Sequence, residues 1–141
     1  MFTVTVFMPT VGGLCSVNLI EHRHQIDIEP PGTVLLCGTF TALGKASLAR
    51  SQITALLNQS ADLSRLSEIV DDTYPFTVVG VRGQGQHAFS FSIKRMQVIC
   101  KGHDSLVIVG AYASLPEAET ALRALGPPPL HPQRVAVIGD A

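Results

Sequence analysis

The stretch Tyr74–Cys100, YPFTVVGVRGQGQHAFSFSIKRMQVIC, decides the fold class. Apolar side chains alternate with polar ones over Phe89–Ile93, and a period of two predicts a strand with one buried face. The segment from Phe76 predicts a second strand, with Gly83-Gln84-Gly85 as the turn between the two. Near Lys94 the apolar positions change from odd to even, which indicates a bulge or a tight turn into a third strand. The stretch therefore predicts an antiparallel β-meander.

The flanking sequence predicts further strands, because apolar positions alternate or form short continuous runs. Two of the runs are continuously apolar, which is typical of a strand buried on both faces. Glu21–His24 is expected near a hairpin end. The predicted strands are Phe2–Met8, Leu14–Ile20, Ile26–Ile28, Thr33–Cys37, Leu106–Val109 and Val135–Ile138.

Helical periodicity predicts three helices. The first begins at Ser47 as its N-cap, and the second follows at once from Ser60. Ser114-Leu-Pro-Glu117 is a capping box that starts the third, which Gly126 ends. The resulting fold is α+β: a mainly antiparallel sheet of about 7–9 strands with two adjacent central helices and one C-terminal helix packed on it. Residues 1–141 are expected to form one α+β domain, a sandwich rather than a closed barrel, without an internal repeat.

Composition limits the possible partners. Of 141 residues, 46% are hydrophobic and 15% are charged, and the net charge is −1. The lack of a basic excess argues against binding to nucleic acid, and no apolar run is long enough to span a membrane. The N-terminus carries no signal-peptide pattern, so a cytoplasmic location is expected. The odd count of three cysteines predicts buried free thiols in a reducing compartment.

One candidate ligand site is the predicted strand–loop–helix connection that contains Gly38, Gly44, Lys45 and Ser47. A glycine-bounded loop before a helix N-terminus can bind an anion through free backbone N–H groups. The spacing departs from the phosphate-loop pattern, and Ala46 stands where a hydroxyl is needed. An ordinary strand-to-helix connection is therefore the alternative.

Two further candidates concern metal binding and catalysis. His22 and His24 would share one face of an extended strand, although a polar hairpin end also explains them. Cys37, at the end of a buried strand, could be a nucleophile with a histidine or His103-Asp104 as its base, but a small buried apolar residue is the simpler interpretation. No bound metal and no cofactor are expected.

One short motif resembles a known family. Val109-Gly-Ala-Tyr-Ala-Ser114, with Glu117, Ala118 and Leu122–Leu125, is similar to the half-motif of SPOR domains. The resemblance implies a small βαββαβ sheet that binds the glycan strands of peptidoglycan. It covers a small part of the chain, and no second copy of the motif is predicted, so the family is not assigned.

The expected function is a non-catalytic binding or assembly module that acts through protein–protein contacts, by self-association or within a larger complex. Its working parts would be edge strands, uncovered apolar faces and an exposed loop with Arg82, Gln84, Gln86 and His87 as partner contacts. The alternative is a small enzyme or anionic-ligand-binding domain that uses the Gly38–Ser47 loop and the following helix N-terminus.

Overall fold

The structure is a computed structural model that describes residues 1–59 and 70–125. In these residues the chain forms eight strands, all paired antiparallel, and two helices, so the α+β class is confirmed. The elements are β1 Phe2–Pro9, β2 Ser16–Glu21, β3 Ile26–Ile28, β4 Gly32–Phe40, α1 Leu43–Gln59, β5 Phe76–Arg82, β6 Ser90–Lys94, β7 Gln97–Cys100, β8 Asp104–Tyr112 and α2 Leu115–Ala124.

The strands form two sheets instead of one meander. The first sheet has the order β2-β1-β4-β7 and the second the order β3-β8-β5-β6. The predicted meander is wrong because β6 pairs with β5 and β7 pairs with β4, in different sheets. Arg95 and Met96 carry the chain across, and this crossing explains the change of alternation near Lys94. The predicted hairpin end at Glu21–His24 is likewise a crossing, from β2 to β3.

The chain contains an internal repeat, contrary to the sequence-based expectation. The first repeat is β1–β4 with α1, and the second is β5–β8 with α2. In each repeat the first strand pairs with the second and the fourth, and the third strand pairs with the fourth strand of the other repeat. A register shift leaves Cys37 unpaired in β4, and the corresponding shift leaves Val109 unpaired in β8.

The repeat leaves a faint trace in the sequence. Phe-Thr-Val begins both β1 and β5, and Cys37-Gly-Thr-Phe40 occupies the place of Val109-Gly-Ala-Tyr112. A leucine then starts each helix, and the buried alanines Ala46 and Ala118 follow. The motif therefore does have a second copy, which is too divergent to recognise without the strand register.

The exchanged third strands create a core that belongs to both repeats. Val34 and Val98 of the first sheet pack in one cluster with Val79, Leu106 and Ile108 of the second sheet. All five are almost fully buried, and their burial contributes favourably to folding. Because β3 and β7 each complete the other repeat's sheet, neither repeat can build this core alone.

A helix covers the outer face of each sheet, so the fold has four layers. Ala46 and Ile53 of α1 pack against Val4 and Val6, while Ala118 of α2 packs against β5 and β8. The second helix is shorter, 10 residues against 17. Aromatic side chains from the β5–β6 region cover the remaining face of the second sheet.

Two of the predicted helices can be compared with the structure. The start of α1 is corrected: it begins at Leu43, and Ser47 lies inside the helix, where its carbonyl accepts from the Ser51 hydroxyl at 3.1 Å. The capping box of α2 is confirmed, since the Ser114 hydroxyl donates to Glu117 Oε1 at 3.0 Å. The predicted second helix, Gly126 and the strand Val135–Ile138 fall outside the described residues.

One cross-strand pair of residues has a different composition in the two repeats. Val6 pairs with Val17 in the first repeat, and Gly80 pairs with Phe91 in the second. A Cβ atom on Gly80 would lie 2.7 Å from the Phe91 ring. The aromatic ring therefore occupies the space that a second side chain fills in the first repeat.

We expect Gly80→Val and Phe91→Val to destabilise the protein by about 1–3 kcal/mol each, by overpacking and by cavity formation respectively. The double variant, which copies the Val–Val pair, should recover a large part of that loss. Urea unfolding of the four proteins in a double-mutant cycle measures the coupling. Strictly additive losses would show that the two residues do not compensate each other.

Candidate functional site

A cavity of about 540 Å³ opens where the two repeats meet, beside the irregular register of β4. Corresponding residues of both repeats, Thr3 and Thr77, line it. So do the crossing from β6 to β7 and the segment that precedes β5. The described lining is Thr3, Leu35, Leu36, Cys37, Gly38, Thr39, Val70, Asp71, Asp72, Tyr74, Pro75, Thr77, Arg95 and Met96. This volume is typical of a small-molecule site.

A chain of hydrogen bonds forms one wall of the cavity. The hydroxyls of Thr3 and Thr39 lie 2.7 Å apart, and Thr3 Oγ1 lies 2.8 Å from His22 Nε2. Both threonines are buried, so these bonds satisfy groups that have lost water. Position 39 corresponds to Ala111 in the second repeat, which therefore cannot form the same chain.

The Thr77 hydroxyl differs from those two. The residue is only 3% exposed, yet no described residue makes a hydrogen bond to its hydroxyl. The oxygen is not shut off from solvent, because no fully enclosed polar atom of the described side chains lacks a partner. It therefore opens into the cavity, where a bound molecule can reach it.

The rim of the cavity carries both signs of charge. The Arg95 guanidinium lies 5.1 Å from the centre of the Phe76 ring, a cation–π contact that positions it. Asp71 and Asp72 provide carboxylates in the same lining. The Asp71 amide donates to the Cys37 carbonyl at 3.1 Å, which attaches this segment to the unpaired residue of β4.

Gly38 has the backbone conformation that the β4 register shift requires. Its φ is +147°, which residues with a side chain rarely adopt, and a Cβ atom there would lie 3.0 Å from Asp71 Cβ. The glycine predicted for an anion loop thus lies within a strand and lines the cavity. Gly44, Lys45 and Ser47 lie on α1 and are not among its lining residues. The proposed anion site stays a prediction whose residues are divided between two elements.

His22 is held in its neutral form. Burial, the N-terminal ammonium and Arg23 lower its pKa from 6.5 to about 4. His24, the other predicted metal ligand, instead lies 3.5 Å from the exposed Glu21 carboxylate. The two histidines thus have different partners. No cluster of three metal-ligating side chains occurs in residues 1–59 and 70–125.

The three cysteines have different surroundings. Burial raises the pKa of Cys37 and of Cys100 to about 11, which keeps both as thiols. A nucleophilic cysteine needs the opposite shift, so the surroundings of Cys37 disfavour a thiolate. Cys15 is exposed in the β1–β2 turn, which corrects the expectation that all three are buried.

The predicted partner loop lies between β5 and β6. The Gln86 side chain accepts from the Gly83 amide at 2.9 Å and so closes the turn. Gln84, Gln86 and His87 are exposed, while the Arg82 guanidinium lies 4.8 Å from the centre of the Phe89 ring. The loop is accessible, and its role in binding remains a prediction.

A second crevice of about 520 Å³ lies between β2 and β3. Its charged lining residues, Asp27 and Glu29, are both acidic, and Asp27 accepts from the Ser105 hydroxyl at 2.9 Å. The cavity at Thr77 is the stronger candidate because it combines hydroxyls, both charges and apolar walls. Sequence reasoning missed Thr77 and Arg95, although the change of alternation at Lys94 marks the crossing that places Arg95.

Comparison with known proteins gives no match to a family model, a curated protein or a solved structure. The local similarity to SPOR domains therefore has no support from a family model. Neither helix in the described part of the chain is long and apolar enough to cross a membrane.

The lowered pKa of His22 predicts an acid-sensitive fold. The unfolded chain takes up this proton near pH 6.5 and the folded chain only near pH 4. The contribution of His22 to stability is therefore complete above pH 6.5 and declines as the pH falls towards 4. We expect His22→Gln to reduce the drop in Tm between pH 7 and pH 4.5 by a few degrees, on the order of 2–5 °C.

Thermal unfolding at several pH values measures this effect. His24→Gln is the matched control, since His24 is exposed, and it should leave the drop in Tm nearly unchanged. An identical pH profile for His22→Gln and the unaltered protein would contradict the assignment.

The surroundings of the cysteines predict selective alkylation. Iodoacetamide should modify Cys15 in the folded protein and spare Cys37 and Cys100, because alkylation requires an accessible thiolate. Mass spectrometry of peptides, with a urea-unfolded sample as reference, reads out each site. Rapid modification of native Cys37 would show that the cavity activates this thiol.

Proposed function

We propose that this protein is a non-catalytic binding module that takes up an extended segment of a partner protein along the open edge of β7. The observation that carries the proposal is that β7 is an end strand of its sheet among residues 1–59 and 70–125, with backbone groups and the Ile99 side chain exposed. Strand addition to such an edge is a common way of binding a peptide.

The backbone of β7 offers alternate residues to a partner. The Met96 carbonyl accepts from the Leu36 amide at 2.8 Å, so the even-numbered residues of β7 direct their backbone N–H and C=O groups towards β4. Because backbone groups alternate in direction along an antiparallel strand, Gln97 and Ile99 direct their N–H and C=O groups to the open side. An added strand can bond to these four groups.

The side chains favour β7 over the other edge strands. Ile99 is 67% exposed, and the preceding Met96 is 75% exposed. The fully exposed side chains of β2, β3 and β6 are polar or charged, which is how proteins protect edges against unwanted pairing. In β7 the exposed side chains are Gln97 and Ile99, so an apolar side chain remains at this edge, and α1 packs on β1, β2 and β4.

Charge favours an acidic partner over a second copy. Arg95 precedes β7 and Lys101 follows it, and both are exposed. In an antiparallel pair of two β7 strands centred on Val98, Arg95 of one copy would face Lys101 of the other, and like charges opposite each other are unfavourable. A segment with an apolar centre and acidic ends meets cations at both ends. The partner is therefore an extended acidic segment of another protein.

The surroundings of the thiols support a role without catalysis. Cys37, the candidate nucleophile, has a raised pKa, and His22 is engaged with Thr3. The alternative of an anionic-ligand domain has less support, because Gly38 lies in β4 while Lys45 is exposed on α1.

We expect a peptide of β-branched residues flanked by glutamates to bind the full chain and to protect the Gln97 and Ile99 amides from hydrogen exchange. NMR exchange measurements with and without peptide give this readout. Ile99→Asp should weaken binding at least about tenfold, because it removes apolar contact and adds a like charge. Leu115→Asp, the same change at an exposed aliphatic residue of α2, should have little effect.

The same peptide flanked by lysines should not bind. Equal binding of the two peptides would refute the acidic preference, and no added protection at Gln97 and Ile99 would refute strand addition. The molecular mass in solution tests for self-association. If the mass rises with protein concentration and Ile99→Asp abolishes that rise, the β7 edge binds a second copy of this chain and not another protein.

A further inference from the structure

We infer that the cavity at Thr77 binds a small zwitterion of the amino-acid type with an apolar body. This site shares Arg95 and Met96 with the β7 edge but does not include Ile99, so Ile99→Asp tests the edge alone. The inference depends on a hydroxyl at the cavity surface, on the apolar walls and on the opposite charges at the rim.

The Thr77 hydroxyl is the observation that points to a ligand. A hydroxyl that reaches a cavity and has no protein partner can bond to water or to a ligand there. Thr77 is 3% exposed and has no hydrogen-bond partner in residues 1–59 and 70–125, whereas the neighbouring hydroxyls of Thr3 and Thr39 bond to each other. Its oxygen is directed into the cavity, where a carboxylate or amine can complete its hydrogen bonding.

The walls fit an apolar body. Leu35, Leu36, Pro75 and Met96 contribute apolar surface on several sides of the cavity. The volume of about 540 Å³ is large enough for an apolar amino acid or a dipeptide. Burial of the apolar part would provide the favourable free energy, and the polar groups would orient the ligand.

The rim determines the charge of the ligand. Arg95 can bind a carboxylate through two parallel hydrogen bonds, and the Phe76 ring already holds its guanidinium in place. Asp71 and Asp72 can accept from an ammonium group. A simple anion would meet two carboxylates at this rim, and a simple cation would meet the guanidinium. A zwitterion satisfies both signs.

Comparison of the repeats supports a specialised role for this end of the molecule. The position that corresponds to Arg95 in the first repeat is Glu21, and the position that corresponds to Thr39 in the second is Ala111. Thr39 and Arg95, two polar residues without a like counterpart in the other repeat, thus line the same cavity.

Isothermal titration of the full chain with L-phenylalanine and with L-leucyl-L-phenylalanine tests the inference. N-acetyl-L-phenylalanine lacks the ammonium, and phenethylamine lacks the carboxylate. We expect at least one zwitterion to bind and the corresponding one-charge analogues to bind about tenfold more weakly, the usual effect of one charge-assisted hydrogen bond. Binding of phenethylamine as tight as that of L-phenylalanine would overturn the role of Arg95. No heat from either zwitterion at millimolar concentration would overturn the site.

Two variants separate binding from folding. Thr77→Val removes the hydroxyl and keeps the shape of the side chain. It should lower the affinity for the zwitterion about fivefold to tenfold while leaving Tm unchanged or raised. Arg95→Gln should abolish the preference for a carboxylate, and Arg50→Gln on the exposed face of α1 is its control. A lowered Tm with unchanged affinity for Thr77→Val would assign that hydroxyl a purely structural role and refute the inference.

Discussion

The exchange of third strands between the repeats is the constraint on which the rest of this structure depends. β3 completes the sheet of the second repeat, and β7 completes the sheet of the first. The apolar cluster between the sheets therefore draws on both halves of the chain, while the clusters under α1 and α2 each lie within one half. Because this cluster contains residues of both repeats, the two repeats should fold as one cooperative unit.

The crossings that this exchange requires also create the places where binding can occur. To move β7 into the other sheet, the chain must turn at Arg95 and Met96, which brings a cation and an apolar side chain to a corner. The register shift at Cys37 opens β4 at the same corner, and the segment before β5 attaches to it through Asp71. The cavity and the open edge of β7 are thus consequences of one topological feature.

Local signals in the sequence predicted much of the fold. Alternation located most strands, and the continuous apolar runs at Thr33–Cys37 and Leu106–Val109 correctly indicated β4 and β8, the central strands with both faces covered. The capping box at Ser114 placed α2 because its hydrogen bonds involve residues only three positions apart. The site was harder to predict. Thr77 and Arg95 lie in different segments, and nothing local distinguishes a threonine at a cavity from any other threonine in a strand.

What the sequence determined by itself was the set of elements and their buried faces, since a period of two or a cap depends on neighbouring residues alone. Which strands become partners was decided by the tertiary structure. The same alternation allows β7 to pair with β6 or with β4, and the difference is the burial of Val98 and Cys100 against the second sheet, a contact between residues far apart in the chain. The repeat, the cavity and the open edge all follow from that choice of partner.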